Sequence, residues 1–223
     1  MTDQSITASA QRILAELPSD VTLVAAAKGR SAEDVRAAIR AGVGHMGHNF
    51  VQEAQDMVPQ VPEAAQWHMI GHLQSNKAKA AVQFFDIIET LDSWALAEEI
   101  ERRCAAQGKV MPVLIEVNSG REGSKSGVLP EMVDELARRV GTLPHARLQG
   151  LMTMGPRRGD PEEARPYFRA TREAFERLAR AGILGIEMRY LSMGMSNSFR
   201  VAIQEGANVV RIGTLLFGER DAK

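Results

Sequence analysis

The chain lacks the features that mark disulfide-rich, nucleic-acid-binding or membrane proteins. It has one cysteine, Cys104, among 223 residues, which excludes an internal disulfide and a site of several thiolates. Its 27 basic and 28 acidic residues nearly cancel, so no charge pattern suits nucleic acid or an anionic membrane. No apolar run approaches the roughly 20 residues of a membrane span, and residues 1–4 lack a basic head and an apolar body. We expect a cytoplasmic protein that binds neither nucleic acid nor membranes.

Short apolar segments alternate with longer segments of helical period, a pattern typical of repeated βα units around a parallel sheet. Eight such segments predict strands at 22–27, 44–47, 66–70, 87–90, 110–117, 148–153, 188–192 and 208–212. Eight is the number of strands that closes a (β/α)8 (TIM) barrel. The sequence therefore predicts a single α/β barrel domain over 1–223, with an extra N-terminal helix. An open doubly wound sheet is the alternative.

Two of the intervening helices carry clear start signals. Ser31, with Asp34 three residues later, has the spacing of a capping box. Pro130 is suited to the first turn of another helix, in which Met132 and Leu136 are expected to face inward. A longer helix is predicted from 162 to 181.

Lys28 ends the apolar run 21–27. It is thereby placed at the carboxyl end of the first strand, where barrel proteins position their reacting groups. Apolar surroundings favour a neutral amine, and a neutral amine can attack an aldehyde to form a Schiff base. Taken alone, the position is more typical of a lysine that leaves a strand and reaches solvent.

Small residues follow the seventh and eighth strands, in the motifs Ser192-Met-Gly-Met-Ser196 and Arg211-Ile-Gly-Thr214. Barrels commonly bind phosphate between these two loops, and a helix predicted to begin near Ser196 would add backbone N–H donors. The glycines could instead serve only tight turns. Because the first and last strands of a closed barrel are neighbours, Lys28 and both loops should converge. A phosphorylated aldehyde would fit between them.

Six stretches carry a resemblance to a known family. They are Ala27-Lys28, Gly47-His-Asn-Phe-Val-Gln-Glu53, Trp67-His-Met-Ile-Gly-His-Leu-Gln-Ser-Asn-Lys77, Ser124-Lys-Ser-Gly127, and the two loop motifs, the second read as Val210-Arg-Ile-Gly-Thr214. They resemble the pyridoxal phosphate homeostasis protein family, also called the YggS or proline synthetase co-transcribed family. The resemblance spans nearly the whole chain, and its central motif, 67–77, is highly specific.

The resemblance implies a fold, a cofactor and site residues. The family has the barrel of the alanine racemase N-terminal domain without its second β domain, and it binds pyridoxal 5'-phosphate (PLP). Lys28 would hold PLP as an aldimine, Arg211 would face the pyridine nitrogen, and Asn49 would lie beside the cofactor. Ser192, Gly213 and Thr214 would surround the phosphate. The predicted cofactor-binding set is completed by Gly194, Met195 and Ser196. Lys77 and Lys125 match further motif lysines that could form a secondary or transfer site.

Three positions depart from the family pattern. The family usually has Glu where this chain has His48, Asp where it has Asn197, and often Ser where it has Ala27. Any role that those acidic residues have in the family is therefore in doubt here.

We expect a PLP carrier in vitamin B6 and amino-acid homeostasis, with little or no turnover. An Arg at the pyridine nitrogen disfavours its protonation, and an unprotonated ring is a poorer electron sink. Racemisation would need a second base opposite Lys28, whereas Tyr167 falls on a helix core stripe and Tyr190 within a strand. The expected recipients are PLP-dependent enzymes in their PLP-free form, and we expect a monomer rather than an obligate oligomer. A weak PLP-dependent racemase is an alternative.

Three other functions use parts of the same pattern. A Schiff-base aldolase also combines a strand lysine with a barrel phosphate site. A metal hydrolase could use His45, His48, His68 and His72, although no carboxylate stands at ligand spacing and we predict no metal. A partner-binding surface could be built from Met152, Met154, Met193 and Met195.

Overall fold

Eight parallel strands form the centre of the molecule. The computed structural model describes residues 2–123, 125–156 and 159–219. Its strands are β1 (Thr22–Ala26), β2 (His45–His48), β3 (Gln66–Met69), β4 (Ile87–Leu91), β5 (Met111–Val117), β6 (Ala146–Thr153), β7 (Tyr190–Ser192) and β8 (Val209–Ile212). They close into a barrel in chain order, which confirms the predicted fold class.

Closure depends on the pairing of β1 with β8. Val24 of β1 lies opposite Arg211 of β8, and Leu23 lies opposite Val210. Parallel strands in register bring their carboxyl ends to the same edge. Lys28, two residues beyond β1, is thereby placed beside the segment that follows β8.

Helices surround the barrel. They are α1 (Asp3–Glu16), α2 (Ala32–Arg40), α3 (Val51–Met57), α4 (Ala78–Phe84), α5 (Trp94–Ala105), α6 (Val133–Val140), α7 (Arg165–Arg180), α8 (Phe199–Gln204) and α9 (Thr214–Phe217), with 3-10 turns at Val58–Gln60, Ser75–Lys77, Pro130–Met132 and Pro161–Ala164. The extra helix α1 packs on α2 and α9. The capping box of α2 is present, because Ser31 Oγ accepts from the Asp34 N–H and the Asp34 carboxylate accepts from the Ser31 N–H.

Side chains alternate between two environments along each strand. One set packs in the large apolar core between barrel and helices, whereas Val24, Ile70 and Val209 form a separate small cluster. A Cβ at Gly47 would lie 2.7 Å from Ile70 Cδ1 and 3.0 Å from Val24 Cγ1, so Gly47 points toward this cluster. The side chains of this cluster therefore lie in the barrel interior.

Two details of the helix predictions were wrong. The helix expected near Ser196 begins at Phe199, because residues 196–198 form a turn in which Ser198 Oγ accepts from the Met195 N–H. Met132 is 46% exposed rather than inward-facing. It lies in the 3-10 turn that Pro130 begins, and three residues per turn shift the phase relative to an α-helix. None of the helices in the described part of the chain is long and apolar enough to cross a membrane.

Candidate functional site

A cavity of about 310 Å³ opens at the carboxyl ends of the strands. This volume lies at the lower end of the range for small-molecule sites. Two of the residues that line it belong to strands β1 and β8, and the others come from the segments after β1, β2, β3, β6, β7 and β8. They are Ala26, Lys28, Arg30, Asn49, Ile70, Met154, Met195, Ser196, Asn197, Arg211, Gly213 and Thr214. The cavity therefore lies where barrel proteins carry out their chemistry.

Lys28 enters the cavity from the turn after β1. Its side chain is half-buried, and its Nζ lies 4.6 Å from the centre of the Phe50 ring. Ala27, just before it, is fully buried and donates its N–H to the Gly47 carbonyl. The amine is thus carried by a fixed backbone segment, and Asn49, next to Phe50, lines the same cavity.

The loops after β7 and β8 meet across the cavity. Ser196 Oγ accepts from the backbone N–H groups of Gly213 and Leu215, each at 3.2 Å. Gly213 and Thr214 also line the cavity. Because Ser196 Oγ accepts from those two N–H groups, its own hydrogen is available to donate, and Thr214 adds a second hydroxyl at this seam between the two loops; a phosphate binds such donors.

Gly194 shapes the first of these loops without lining the cavity. Its φ is +90°, and a Cβ there would lie 2.6 Å from Ala202 Cβ and 2.8 Å from Phe199 Cα. The loop can therefore pass under α8 only with glycine at this position. Asn197 joins the loop to its neighbour, since its Nδ2 donates to the Gly159 carbonyl at 3.1 Å.

The sequence prediction did not include Arg30, which also lines the cavity. Its guanidinium donates to the Gly218 carbonyl and lies 5.5 Å from the Phe217 ring centre. A signal was present in the sequence, because Arg30 follows Lys28 by two residues in the same loop.

Arg211 reaches the cavity from the barrel interior. Its Nη1 donates to Ser192 Oγ at 2.5 Å and its Nη2 to the Thr153 carbonyl at 2.8 Å. Ser192 in turn donates to Glu89 Oε2 at 2.6 Å. Ser192 is fully buried and is not among the lining residues. Its hydroxyl therefore bonds Arg211 and Glu89 and takes no part in the contact between the loops after β7 and β8.

Burial and charge shift the pKa values of the interior groups in different directions. Burial alone would raise the pKa of Glu89, but the hydrogen bond and charge of His68 and the charge of Arg211 hold it below its ordinary value. Burial lowers the pKa of Arg211, although Glu89 and Glu116 oppose the shift. Glu116 Oε2 has no hydrogen-bond partner among the described residues, and burial, with a smaller effect from the charge of Asp92, raises the pKa of Glu116 to about 7 although the charge of Arg211 opposes the shift.

The two further motif lysines lie away from the cavity. Lys77 ends the 3-10 turn before α4, and Lys125 forms an ion pair with Glu122 at 2.5 Å. Neither lines the cavity. Ser124, the first residue of the motif that contains Lys125, lies outside the described residues.

The four histidines considered as metal ligands do not all come together at one site. His48 is on the opposite face of β2 from Gly47 and stacks on Trp67, whereas His72 is exposed and pairs with Asp92 at 3.1 Å. Within the described ranges, no three His, Cys, Asp or Glu side chains are arranged to hold a metal ion. His45 and His68 instead contact each other, with 3.0 Å between Nδ1 and Nε2.

The methionines and tyrosines also take clear positions. Met152 and Met193 are fully buried, and Met154 and Met195 line the cavity, which does not favour the partner-binding surface. Tyr190 packs against the small interior cluster, and Tyr167 lies over Gly120. Neither tyrosine lines the cavity.

The barrel matches a known family model and the structures of known proteins. The family model for the alanine racemase N-terminal domain matches residues 4–221. Alanine racemase from Corynebacterium glutamicum superposes with a TM-score of 0.78 at 16% identity, over 99% of this chain and 62% of the racemase. The fold is therefore that of the proteins built on the alanine racemase N-terminal domain.

Relatives with higher sequence identity define the family of this chain more closely. A protein of Aquifex aeolicus named pyridoxal phosphate homeostasis protein is 43% identical over 199 residues, 89% of this chain and 86% of the relative. The structure of PipY from Synechococcus elongatus PCC7942 with PLP bound is 34% identical, with a TM-score of 0.85 over 96% of this chain and all of PipY. The chain belongs to the family of pyridoxal phosphate homeostasis proteins, as its motifs predicted.

Proposed function

We propose that this chain holds PLP in the cavity, attached to Lys28, and serves cytoplasmic vitamin B6 and amino-acid homeostasis with little or no turnover. One observation carries the proposal: the Lys28 amine, the loop seam at Ser196 and the Arg211 guanidinium share a single cavity. The relatives named for PLP homeostasis and the PLP-bound PipY support it.

The residues present fit PLP group by group. The Lys28 amine would condense with the aldehyde, forming a C=N bond and releasing water. The phosphate would lie at the seam of Ser196, Gly213 and Thr214, where the Ser196 and Thr214 hydroxyl groups can donate. Arg211 would face the pyridine nitrogen, and Asn49 would lie beside the ring. When bound, PLP supplies an electrophilic aldehyde and an electron-withdrawing ring.

The residues that line the cavity explain why we expect little catalytic turnover. Besides Lys28, the charged side chains that line the cavity within the described residues are the guanidinium groups of Arg30 and Arg211, which do not give up protons in proteins. No carboxylate, imidazole or phenol is among these lining residues. Racemisation therefore lacks the second base that must act on the face opposite Lys28.

The experiment compares wild type with Lys28→Ala. We expect purified wild type to be yellow, with the visible absorption of a conjugated PLP Schiff base, and Lys28→Ala to be colourless after the same treatment. Borohydride reduction followed by peptide mapping should locate the adduct on Lys28. Lys77→Ala is the matched control and should keep the colour. An adduct on another lysine, or rapid racemisation that Lys28→Ala abolishes, would contradict the proposal.

The proposed recipients are PLP-dependent enzymes in their PLP-free form, with the chain acting as a monomer. Mixing PLP-loaded protein with such an enzyme should restore the enzyme's activity while the visible absorption of the carrier falls. The same mixture containing a PLP-trapping competitor distinguishes direct transfer, which the competitor does not slow, from release into solution.

A further inference from the structure

A connected row of polar side chains crosses the barrel interior beneath Arg211. Its five members come from β2, β3, β4, β7 and β8 and are here called the interior row: His45, His68, Glu89, Ser192 and Arg211. His68 lies 3.0 Å from His45, measured from Nε2 to Nδ1, and 2.7 Å from Glu89, measured from Nδ1 to Oε1. Ser192 Oγ lies 2.6 Å from Glu89 Oε2 and 2.5 Å from Arg211 Nη1.

The chemistry of the groups fixes which atoms donate. A guanidinium only donates and an ionised carboxylate only accepts, and the lowered pKa of Glu89 keeps that carboxylate ionised at neutral pH. The Ser192 hydroxyl therefore accepts from Arg211 and donates to Glu89. His68 Nδ1 must likewise be the donor toward Glu89. Every bond from Arg211 to His68 thus has one permitted direction.

The interior row is also the place where the barrel buries opposite charges. Glu89 is fully buried and Arg211 is 4% exposed, and Arg211 Nη1 lies 3.7 Å from Glu89 Oε2. Removing one partner of such a pair leaves an uncompensated charge in a poorly solvated place. Glu89 therefore balances the charge of a guanidinium whose residue, Arg211, also lines the cavity.

We propose that Glu89 is a positioning residue, held by His68 and joined to Arg211 through the Ser192 hydroxyl, that sets how strongly Arg211 acts on the pyridine nitrogen of bound PLP. The inference rests on the proposed function, in which Arg211 faces that nitrogen. With Glu89 present, part of the guanidinium charge is balanced. Without it, the potential at the nitrogen becomes more positive, which disfavours ring protonation further.

A purely structural role makes a different prediction. If the interior row only fills the barrel with satisfied polar groups, its disruption lowers stability and leaves the ring nitrogen of the bound cofactor unchanged. The test must therefore observe that nitrogen directly.

The experiment uses PLP labelled with ¹⁵N in the ring and records its NMR signal in wild type and in Glu89→Gln. Glutamine keeps the volume, and its amide can bond both neighbours if His68 adopts the other tautomer. We expect a displaced ring-nitrogen signal, because the guanidinium charge is no longer balanced by Glu89 and the potential at that nitrogen changes. Ser192→Ala keeps both charges but removes the connecting hydroxyl, and should also displace the signal.

Glu116→Gln is the matched control. Glu116 is a second buried carboxyl of the interior, and it has no hydrogen bond to the interior row in the described residues. Because its pKa is about 7, it is mostly protonated at pH 6, and the substitution changes little charge there. The ring-nitrogen signal at pH 6 should match that of wild type.

The outcomes separate this inference from the proposed function. If wild type and both row variants hold PLP on Lys28 and give the same ring-nitrogen signal, the inference fails and the proposed function stands. The inference also fails if Glu116→Gln displaces the signal as much as Glu89→Gln does. If wild type does not take up PLP, both fail. Should Glu89→Gln not fold, Ser192→Ala decides.

Discussion

His48 stacks on Trp67 with ring centroids 5.7 Å apart and planes 15° from parallel. The imidazole is 1% exposed, and neither ring nitrogen has a hydrogen-bond partner among the described residues. Glu53 Oε2 lies 3.6 Å from Nδ1, beyond a good hydrogen bond. Burial therefore dominates, and it lowers the pKa of His48 from its ordinary 6.5 to about 4.

His48 should make the protein lose stability in mild acid. The unfolded chain takes up a proton on this residue as the pH falls through 6.5, whereas the folded chain does so only near pH 4. The contribution of the neutral ring is thus complete above pH 6.5 and is lost as the pH falls toward 4. Between pH 7 and 4.5 we expect wild type to lose about 2 to 3 kcal/mol more than His48→Phe. Urea unfolding at several pH values measures the difference.

Phenylalanine is the chosen replacement because it keeps a ring against Trp67 and cannot titrate. Stability curves of wild type and His48→Phe that stay parallel from pH 7 to 4.5 would show that the folded protein protonates His48 as readily as the unfolded chain does.

Glu116 should have the opposite dependence on pH. Its pKa is raised by burial, from 4.5 to about 7, so the folded chain retains a proton that the unfolded chain releases. Its contribution is present below pH 4.5 and is lost as the pH rises through 7. Relative to wild type, Glu116→Gln should gain about 2 to 3 kcal/mol of stability between pH 5 and 8. Thermal unfolding at both pH values checks the sign, and an equal difference at pH 5 and 8 would contradict it.

Much of the fold could be predicted from local sequence. Alternating apolar and helical segments identified eight strands, and barrel closure then placed Lys28 beside the segment after β8. Strand ends were less well predicted, since the predicted strand at 188–192 is β7 at Tyr190–Ser192. Hydrogen bonding to the neighbouring strands, rather than local composition, decides where a strand begins.

The interior row could not be predicted in the same way. Ser192 and Glu89 are 103 residues apart in the chain, and only barrel closure brings them together. The family resemblance implies Ser192 beside the phosphate, and the structure places it on β7, with its hydroxyl between Arg211 and Glu89 in the barrel interior. One signal was available, because Glu89 is a lone carboxylate in the apolar strand Ile-Ile-Glu-Thr-Leu, and buried charges usually have partners.

Gly194→Ala should destabilise the protein and weaken PLP binding together. The substitution places a Cβ at φ +90° and 2.6 Å from Ala202 Cβ. Backbone strain and overpacking together are expected to cost about 2 to 5 kcal/mol. The displaced loop carries Ser196, so the affinity for PLP should fall as well. Urea unfolding and a PLP titration measure the two effects.

Gly44→Ala is the control for the glycine series. A Cβ at Gly44 meets nothing within 4 Å, and its φ is not in the left-handed region. This variant should match wild type within about 0.5 kcal/mol. Equal losses in the two variants would show that the contacts under α8 are not what requires glycine at position 194.

Ser196→Ala should weaken the binding of PLP and leave that of pyridoxal, which lacks the phosphate, almost unchanged. The hydroxyl accepts from the Gly213 and Leu215 N–H groups, so it both donates toward the cavity and aligns the segment after β8. Losing one hydrogen bond to a charged group costs about 1.5 to 3 kcal/mol, which corresponds to a PLP dissociation constant raised at least about tenfold. Titrations of both aldehydes against wild type and variant, followed by visible absorbance, measure the ratio. An equal loss for pyridoxal and PLP would place the phosphate elsewhere, whereas a loss confined to PLP locates it at the seam between the two loops.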